Sequence, residues 1–426
     1  MSDAGTGKTP VHITDFATRR RNGGGAALVL CPKSLISCAW GKDIKTFAPD
    51  LRSSLIYADN RAEGFLADAD FYITNIDAST WLAEQPKKFF NKFDTLIIDE
   101  STAYKHATSK RSRAVAKIIK YFEYRRLLSG TPTSNGICDL WHQMFICDGG
   151  KLLGSSFYAF RSATCTPVQV GNNTQAIQWI DKPGIETVVG ALIAPVVIRH
   201  KFEDCVDIPP NHQFAVEYEL SPKHRRMYEE LELRSSLMIK EKKVTAVNGA
   251  VLYNKLLQSA SGASYTDDTT YALLDTGRYE LIGDLIDQRK HSVVFFNWTH
   301  QRDELIKIAK KEKWSYALID GTVTKKGERE RIVSEYQEGK YKVLFAHPQS
   351  AGHGLTLTRG TTTIFASPTP NLEHFLQAYK RIYRISQKEK TETIMVIAKD
   401  TIDEHVWDSC QRKDLKQSEL LEYLNN

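Results

Sequence analysis

The sequence lacks most of the features that would place it outside the ordinary globular enzymes. Its seven cysteines are an odd number, with no C-x-x-C pair, which excludes a disulfide framework and offers no zinc-ligand pattern. They suit a reducing compartment. No apolar run is long enough to span a membrane: the longest candidate, residues 191–198, is cut by Arg199, and the N-terminus has no signal-peptide core. Internal repeats and low-complexity tracts are absent. The nearest approach is residues 19–25, a basic then glycine-rich stretch read as a loop leading into a strand. These absences exclude a secreted, membrane-embedded or repetitive protein, and a cytoplasmic location is expected.

What is present is ordinary core material with a mild basic excess. A 42% hydrophobic content over 426 residues supplies cores for two or three domains, and the net charge of +6 suits a polyanionic partner without demonstrating one. Short apolar runs at residues 26–30, 71–73, 95–98 and 126–128 alternate with amphipathic stretches. A second series follows at 292–297, 316–319, 343–346, 362–366 and 392–397. That rhythm predicts an α/β fold with two parallel sheets and crossover helices. Between the series the pattern turns helical, and residues 221–243 carry the spacing of an amphipathic helix. The expected organisation is a first lobe over 1–136, a helical insertion and linker over 137–275 that returns partly to that lobe, and a second lobe over 276–426.

Four local patterns carry chemistry. Gly5-Thr6-Gly7-Lys8-Thr9 has the form of the tail of a phosphate-binding loop, in which glycines let backbone N–H groups approach phosphates at a helix N-terminus. Lys8 would reach the β and γ phosphates and Thr9 would ligate magnesium. The first position of the usual loop falls on Ser2 rather than glycine, and a plain Gly/Ser turn before a helix has the same look. The apolar run over 95–98 closes on Asp99 and Glu100, at the point where an open parallel sheet presents its crevice. Asp99 would hold the metal and Glu100 would orient and activate a water, although a solvated strand end also ends in carboxylates. Ser129-Gly130-Thr131-Pro132 follows another strand, where the hydroxyls of Ser129 and Thr131 would couple phosphate state to lobe position. Finally, Arg381 and Arg384 stand three apart on one face of an expected helix, either as a solvated basic face or as the source of an arginine finger.

In this order the patterns resemble superfamily 2 helicases, and within them the sucrose-nonfermenting-two family of double-stranded DNA translocases in its compact bacteriophage form. The resemblance covers nearly the whole chain. Pro32, Lys33 and Ser34, and again Thr74 and Asn75, are similar to family segments that contact the backbone of the tracked strand. Lys105 resembles the lysine after the Asp-Glu motif, Gly321 and Thr322 resemble a further backbone contact, and Gly352, Gly354 and Thr356 resemble motif V. Gln377, Arg381, Arg384 and Gln387 resemble motif VI, while His106, Tyr383 and Ser386 depart from the usual residues.

The resemblance implies two RecA-like lobes of the P-loop class, ATP and Mg2+ as cofactors, Gln377 at the nucleotide, and ATP hydrolysis in a cleft between the lobes. It also implies double-stranded DNA as a sequence-tolerant partner, no membrane, and the host cytoplasm if the gene is a phage's. The alternatives are an RNA helicase, or a DNA-binding scaffold with an impaired ATPase. The second arises because only seven residues precede Lys8, whereas the family places a strand and an adenine-recognising glutamine segment there. The expectation is an incomplete N-terminus, a first sheet lacking a central strand, and weak, poorly selective ATP binding.

Overall fold

The structure, a computed structural model, describes all residues except 4, 170–176, 241–245, 267–269, 324, 326, 352–354 and 424–426. Its chain divides into two compact units, one of residues 1–166, 179–206 and 413–426, the other of residues 167–178 and 207–412.

The first unit is built on five parallel strands in the order β2-β3-β1-β4-β5. They are β1 (Ala26–Cys31), β2 (Ser53–Ile56), β3 (Phe71–Asn75), β4 (Phe93–Asp99) and β5 (Tyr124–Leu128). Every residue of β1 is buried, as a parallel strand covered on both faces requires. The period of two then sorts the apolar side chains. Leu28, Leu30, Leu96 and Ile98 pack with Phe65, Tyr72 and Phe90 on one face, while Ala27, Val29, Ile73 and Ile97 pack with Ile13, Phe16 and Trp40 on the other.

All four strands expected for the first unit are present, and β2 is additional. Its sequence, SSLI, is short and mostly half-buried, so it lacks the apolar run that marks its neighbours. The five strands pair without an interior gap, with β2 and β5 at the two edges. Residues 19–21, expected in a loop, form instead the last turn of the helix Lys8–Arg21.

Two ribbons, β6 (Cys165–Gln169) with β7 (Ile177–Asp181) and β9 (Ala263–Tyr265) with β10 (Tyr271–Leu273), lie outside the large sheets. The second large sheet has six parallel strands in the order β12-β13-β11-β14-β15-β8. They are β8 (Asn211–Tyr218), β11 (Ser292–Phe295), β12 (Tyr316–Ile319), β13 (Val343–Ala346), β14 (Thr362–Phe365) and β15 (Thr391–Ala398). β8 corrects the reading of residues 137–275 as helical insertion and linker: it pairs with β15 over its whole length, from Asn211 opposite Thr391 to Tyr218 opposite Ala398. An edge strand with most of its side chains exposed carries little hydrophobic signal. The helix Pro222–Lys240 lies within the stretch expected to be amphipathic. Among the described residues no helix is long and apolar enough to cross a membrane.

Candidate nucleotide-binding site

The helix Lys8–Arg21 begins at Gly7, whose φ of 76° is left-handed, and Gly5 is left-handed as well at 89°. Only glycine adopts such angles without strain. At Gly5 space adds a second constraint, because a Cβ there would come within 2.9 Å of the Phe202 ring. The chain before the loop is held by a distant segment. The Met1 amino group donates to Ile198 O (2.8 Å), Asp3 N donates to His200 O (3.1 Å), and His200 N donates to Ser2 Oγ (3.1 Å). The Asp3 carboxylate accepts from Arg199 Nη1 (2.6 Å) and Phe202 N (3.1 Å). The Lys8 ammonium in turn donates to Ser2 O (2.6 Å) and Asp3 O (2.8 Å), so the loop closes around its own lysine. No side chain caps the helix and no acid sits in its first turn, which leaves its positive end directed at the loop. Thr9 lies half-buried in that first turn.

Asp99 ends β4 in a buried position, its Oδ2 accepting from Trp40 Nε1 (3.0 Å) and its Oδ1 from Glu100 N (3.1 Å). Burial pushes its carboxyl pKa up, and the Trp40 bond and then the Lys8 charge act against that shift. Glu100, which follows, has φ 55° and ψ 59°, a left-handed backbone costing a non-glycine residue about 1–2 kcal/mol. It launches the short turn Ser101–Tyr104. After β5, Thr131 N donates to Ser129 Oγ (3.1 Å), while Thr131 Oγ1 is buried without a hydrogen-bond partner. A cavity of 620 Å³ against β5 is lined by Thr6, Lys8, Ser101 and Ser129 among others.

Of the residues expected at a nucleic-acid backbone, two groups lie at the carboxyl ends of β1 and β3 in the same sheet. Pro32, Lys33 and Ser34 follow β1, with Lys33 and Ser34 exposed. Thr74 and Asn75 close β3 opposite Leu30 and Cys31, and Thr74 Oγ1 and Asn75 Oδ1 are both buried without a hydrogen-bond partner. Lys105 differs from expectation: its ammonium is turned inward onto Ser134 Oγ (2.9 Å) and Asp139 Oδ2 (3.1 Å). Its charge is engaged by a buried carboxylate rather than presented to a phosphate.

In the second unit, Gly321 and Thr322 are exposed after β12, with the Thr322 hydroxyl donating to Asp320 Oδ1 (2.5 Å). Gly352 and Gly354 lie outside the described residues. Arg381 and Arg384 do not share a helix face, because the helix Leu372–Tyr379 stops before them and both sit in the turns that follow. Arg381 Nε donates to Gln377 O (2.7 Å), and Gln377 Nε2 donates to Glu373 Oε1 (3.2 Å). Arg384 Nη1 donates to Leu355 O (2.7 Å) and Thr356 Oγ1 (3.2 Å). Burial alone lowers the Arg384 pKa, which marks a cation held by neutral oxygens. Gln387 is a structural clip, donating to Thr358 O, Gly360 O and Ile382 O.

Two parallel-sheet α/β units, a left-handed glycine loop with a lysine at a helix N-terminus, and a carboxylate pair closing a strand define a P-loop nucleotide-binding protein. The chain belongs to the SNF2-related family: the SNF2-related domain matches residues 1–263, and the helicase conserved C-terminal domain matches residues 277–386. It is 29% identical to protein p41 of Acyrthosiphon pisum secondary endosymbiont phage 1, over 83% of this chain and 77% of that protein. With YwqA of Bacillus subtilis, which bears the name of an ATP-dependent helicase/translocase, identity is 24% over 99% of this chain but only 46% of that one. Among solved structures, the Sulfolobus solfataricus SWI2/SNF2 ATPase core in complex with dsDNA aligns with 98% of this chain and 90% of that chain, at 24% identity and a TM-score of 0.43.

Proposed function

We propose that the chain is the ATP-hydrolysing motor of a DNA translocase, which tracks double-stranded DNA through its phosphates. The observation that carries this reading is the pairing of opposite needs in the first unit. An uncapped helix start and the Lys8 ammonium are complementary to phosphate, and Asp99 is a carboxylate whose burial is only partly offset. A magnesium triphosphate complements both. The names borne by YwqA and by the Sulfolobus core agree with it.

On this reading Gly5, Thr6, Gly7 and Lys8 hold the phosphates, while Thr9 and Asp99 are the magnesium ligands. Bound there, magnesium would draw charge from the phosphate oxygens. Glu100 orients the attacking water, and Ser129 and Thr131 sense the phosphate state. Arg384 and Arg381 are the cations for charge developing on the γ-phosphate, with Gln377 beside the nucleotide. Pro32, Lys33, Ser34, Thr74 and Asn75 in one unit, and Gly321, Thr322 and Thr356 in the other, are assigned to the DNA backbone. Such a motor works where ATP and DNA meet, in the cytoplasm.

The test is ATP turnover measured side by side with double-stranded DNA, single-stranded DNA and RNA. Double-stranded DNA should stimulate most. Stimulation by RNA alone would make the chain an RNA helicase, and no turnover with any of them would make it a scaffold. Because the assigned contacts are to phosphates, affinity should be similar across DNA sequences of equal length and should fall steeply as salt rises. A strong preference for one sequence with a shallow salt slope contradicts the reading.

Arg384 supplies a separate check. Arg384→Ala should lower kcat by about 100-fold or more, as loss of a transition-state arginine does. The melting temperature should hold or rise, because a half-buried cation without a carboxylate carries a desolvation cost that leaves with it. Parallel loss of stability and activity would make Arg384 structural.

A further inference from the structure

The helix Cys138–Asp148 is apolar over most of its length, yet Asp139, His142 and Gln143 are all buried on one face at spacing i, i+3, i+4. Buried polar groups persist when hydrogen-bonded, and these three are. Asp139 accepts from Asn135 N (3.0 Å) and pairs with Lys105. Burial lowers the His142 pKa, and the neutral ring's Nδ1–H donates to Tyr104 O (2.6 Å). Gln143 reaches two segments at once: its Oε1 accepts from Ser101 Oγ (2.7 Å), and its Nε2 donates to Pro132 O (2.8 Å) and to Asp139 O (2.9 Å). Ser101 directly follows Glu100, and Pro132 directly follows Thr131. A single planar amide therefore ties the turn bearing one proposed functional carboxylate to the loop bearing a buried hydroxyl that has no hydrogen-bond partner.

We propose that Gln143 is the positioning residue that makes the Glu100 turn and the Thr131 loop move as one body, so that a change at Thr131 re-aims the Glu100 carboxylate. The inference rests on the ATPase reading. Its physical basis is the geometry of the link: the amide's two ends are fixed relative to each other, and Asp139 O holds it from its own helix, so displacement of Pro132 cannot be absorbed before it reaches Ser101. A core glutamine that only fills space would show no such linkage.

Gln143→Met keeps the chain length and apolar packing but removes all three bonds, and Ser101→Ala cuts one side of the link. Each should lower kcat by about tenfold or more with KM for ATP within about threefold, and the double variant should be no worse than the poorer single one, because both break the same connection. In hydrogen exchange of the free protein, the amides of residues 101–104 and 129–135 should open together in the parent and separately in Gln143→Met. That readout needs no turnover. A parent that hydrolyses no ATP would therefore defeat the ATPase reading while exchange still decides the link. Additive losses that track the melting temperature, or unchanged kcat with joint opening in Gln143→Met, overturn the proposal.

Discussion

Lys8→Ala should abolish ATP turnover while leaving the fold and most DNA binding intact. The ammonium donates to Ser2 O and Asp3 O, each bond worth about 1 kcal/mol net, so their loss is a small structural perturbation. The segment before the loop keeps its other anchors, the Arg199–Asp3 ion pair and the backbone bonds to Ile198 and His200. What cannot be replaced is a fixed positive charge at phosphates whose negative charge shifts during transfer, and removing such a group costs about 100-fold to 1,000-fold or more in rate. DNA affinity should stay within about threefold of the parent, because the proposed backbone contacts at Lys33, Ser34, Thr74 and Thr322 are untouched, each phosphate contact being a separate electrostatic contribution. Turnover, thermal melting and DNA binding measured on one preparation decide the matter. A variant that hydrolyses ATP at near-parent rates removes Lys8 from the mechanism.

How far the sequence foretold this molecule depended on whether the signal was local and apolar. β1, β4, β11 and β13 were visible because a parallel strand buried on both faces must be an unbroken apolar run. β2 and β8 were not, since their side chains are largely half-buried or exposed and only their partners make them strands. The glycine loop and Lys8 form a short contiguous pattern, and so were legible. The anchoring of residues 1–3 by Ile198, Arg199, His200 and Phe202 was not, because it joins segments nearly two hundred residues apart.

Arg381 and Arg384 were expected three apart on one helix face, as a solvated basic face or an arginine finger, but the helix in fact ends at Tyr379. The charge on Lys105 looked available from sequence, and Asp139, which engages it, lies a full segment further on. Gln143 had a usable sign that went unread: polar residues at i, i+3 and i+4 within an otherwise apolar helix must be satisfied by something inside the protein.

Glu100→Gln should bind ATP and fail to hydrolyse it, trapping the nucleotide. The substitution is nearly isosteric, and because glutamine is also a non-glycine residue at φ 55°, the left-handed strain of the turn is unchanged. Because shape and backbone are kept, stability should shift by about 1 kcal/mol or less. Asp99 remains as the proposed metal ligand, still held by Trp40 Nε1 and by the backbone N–H of residue 100, so ATP affinity should persist. The amide cannot take a proton from water, and loss of a positioned base costs about 100-fold to 10,000-fold in rate.

Glu100→Gly separates the side chain from the backbone that carries it. Glycine adopts this φ freely, so relief of strain should offset its greater unfolded-state freedom and leave stability within about 1 kcal/mol of the parent, while turnover falls at least as far as in Glu100→Gln. Equilibrium ATP binding, single-turnover hydrolysis and thermal melting distinguish the outcomes. Collapse of ATP affinity in Glu100→Gln would recast Glu100 as a metal ligand. Turnover surviving in Glu100→Gly would mean that the strained backbone at this position serves the fold and not the reaction.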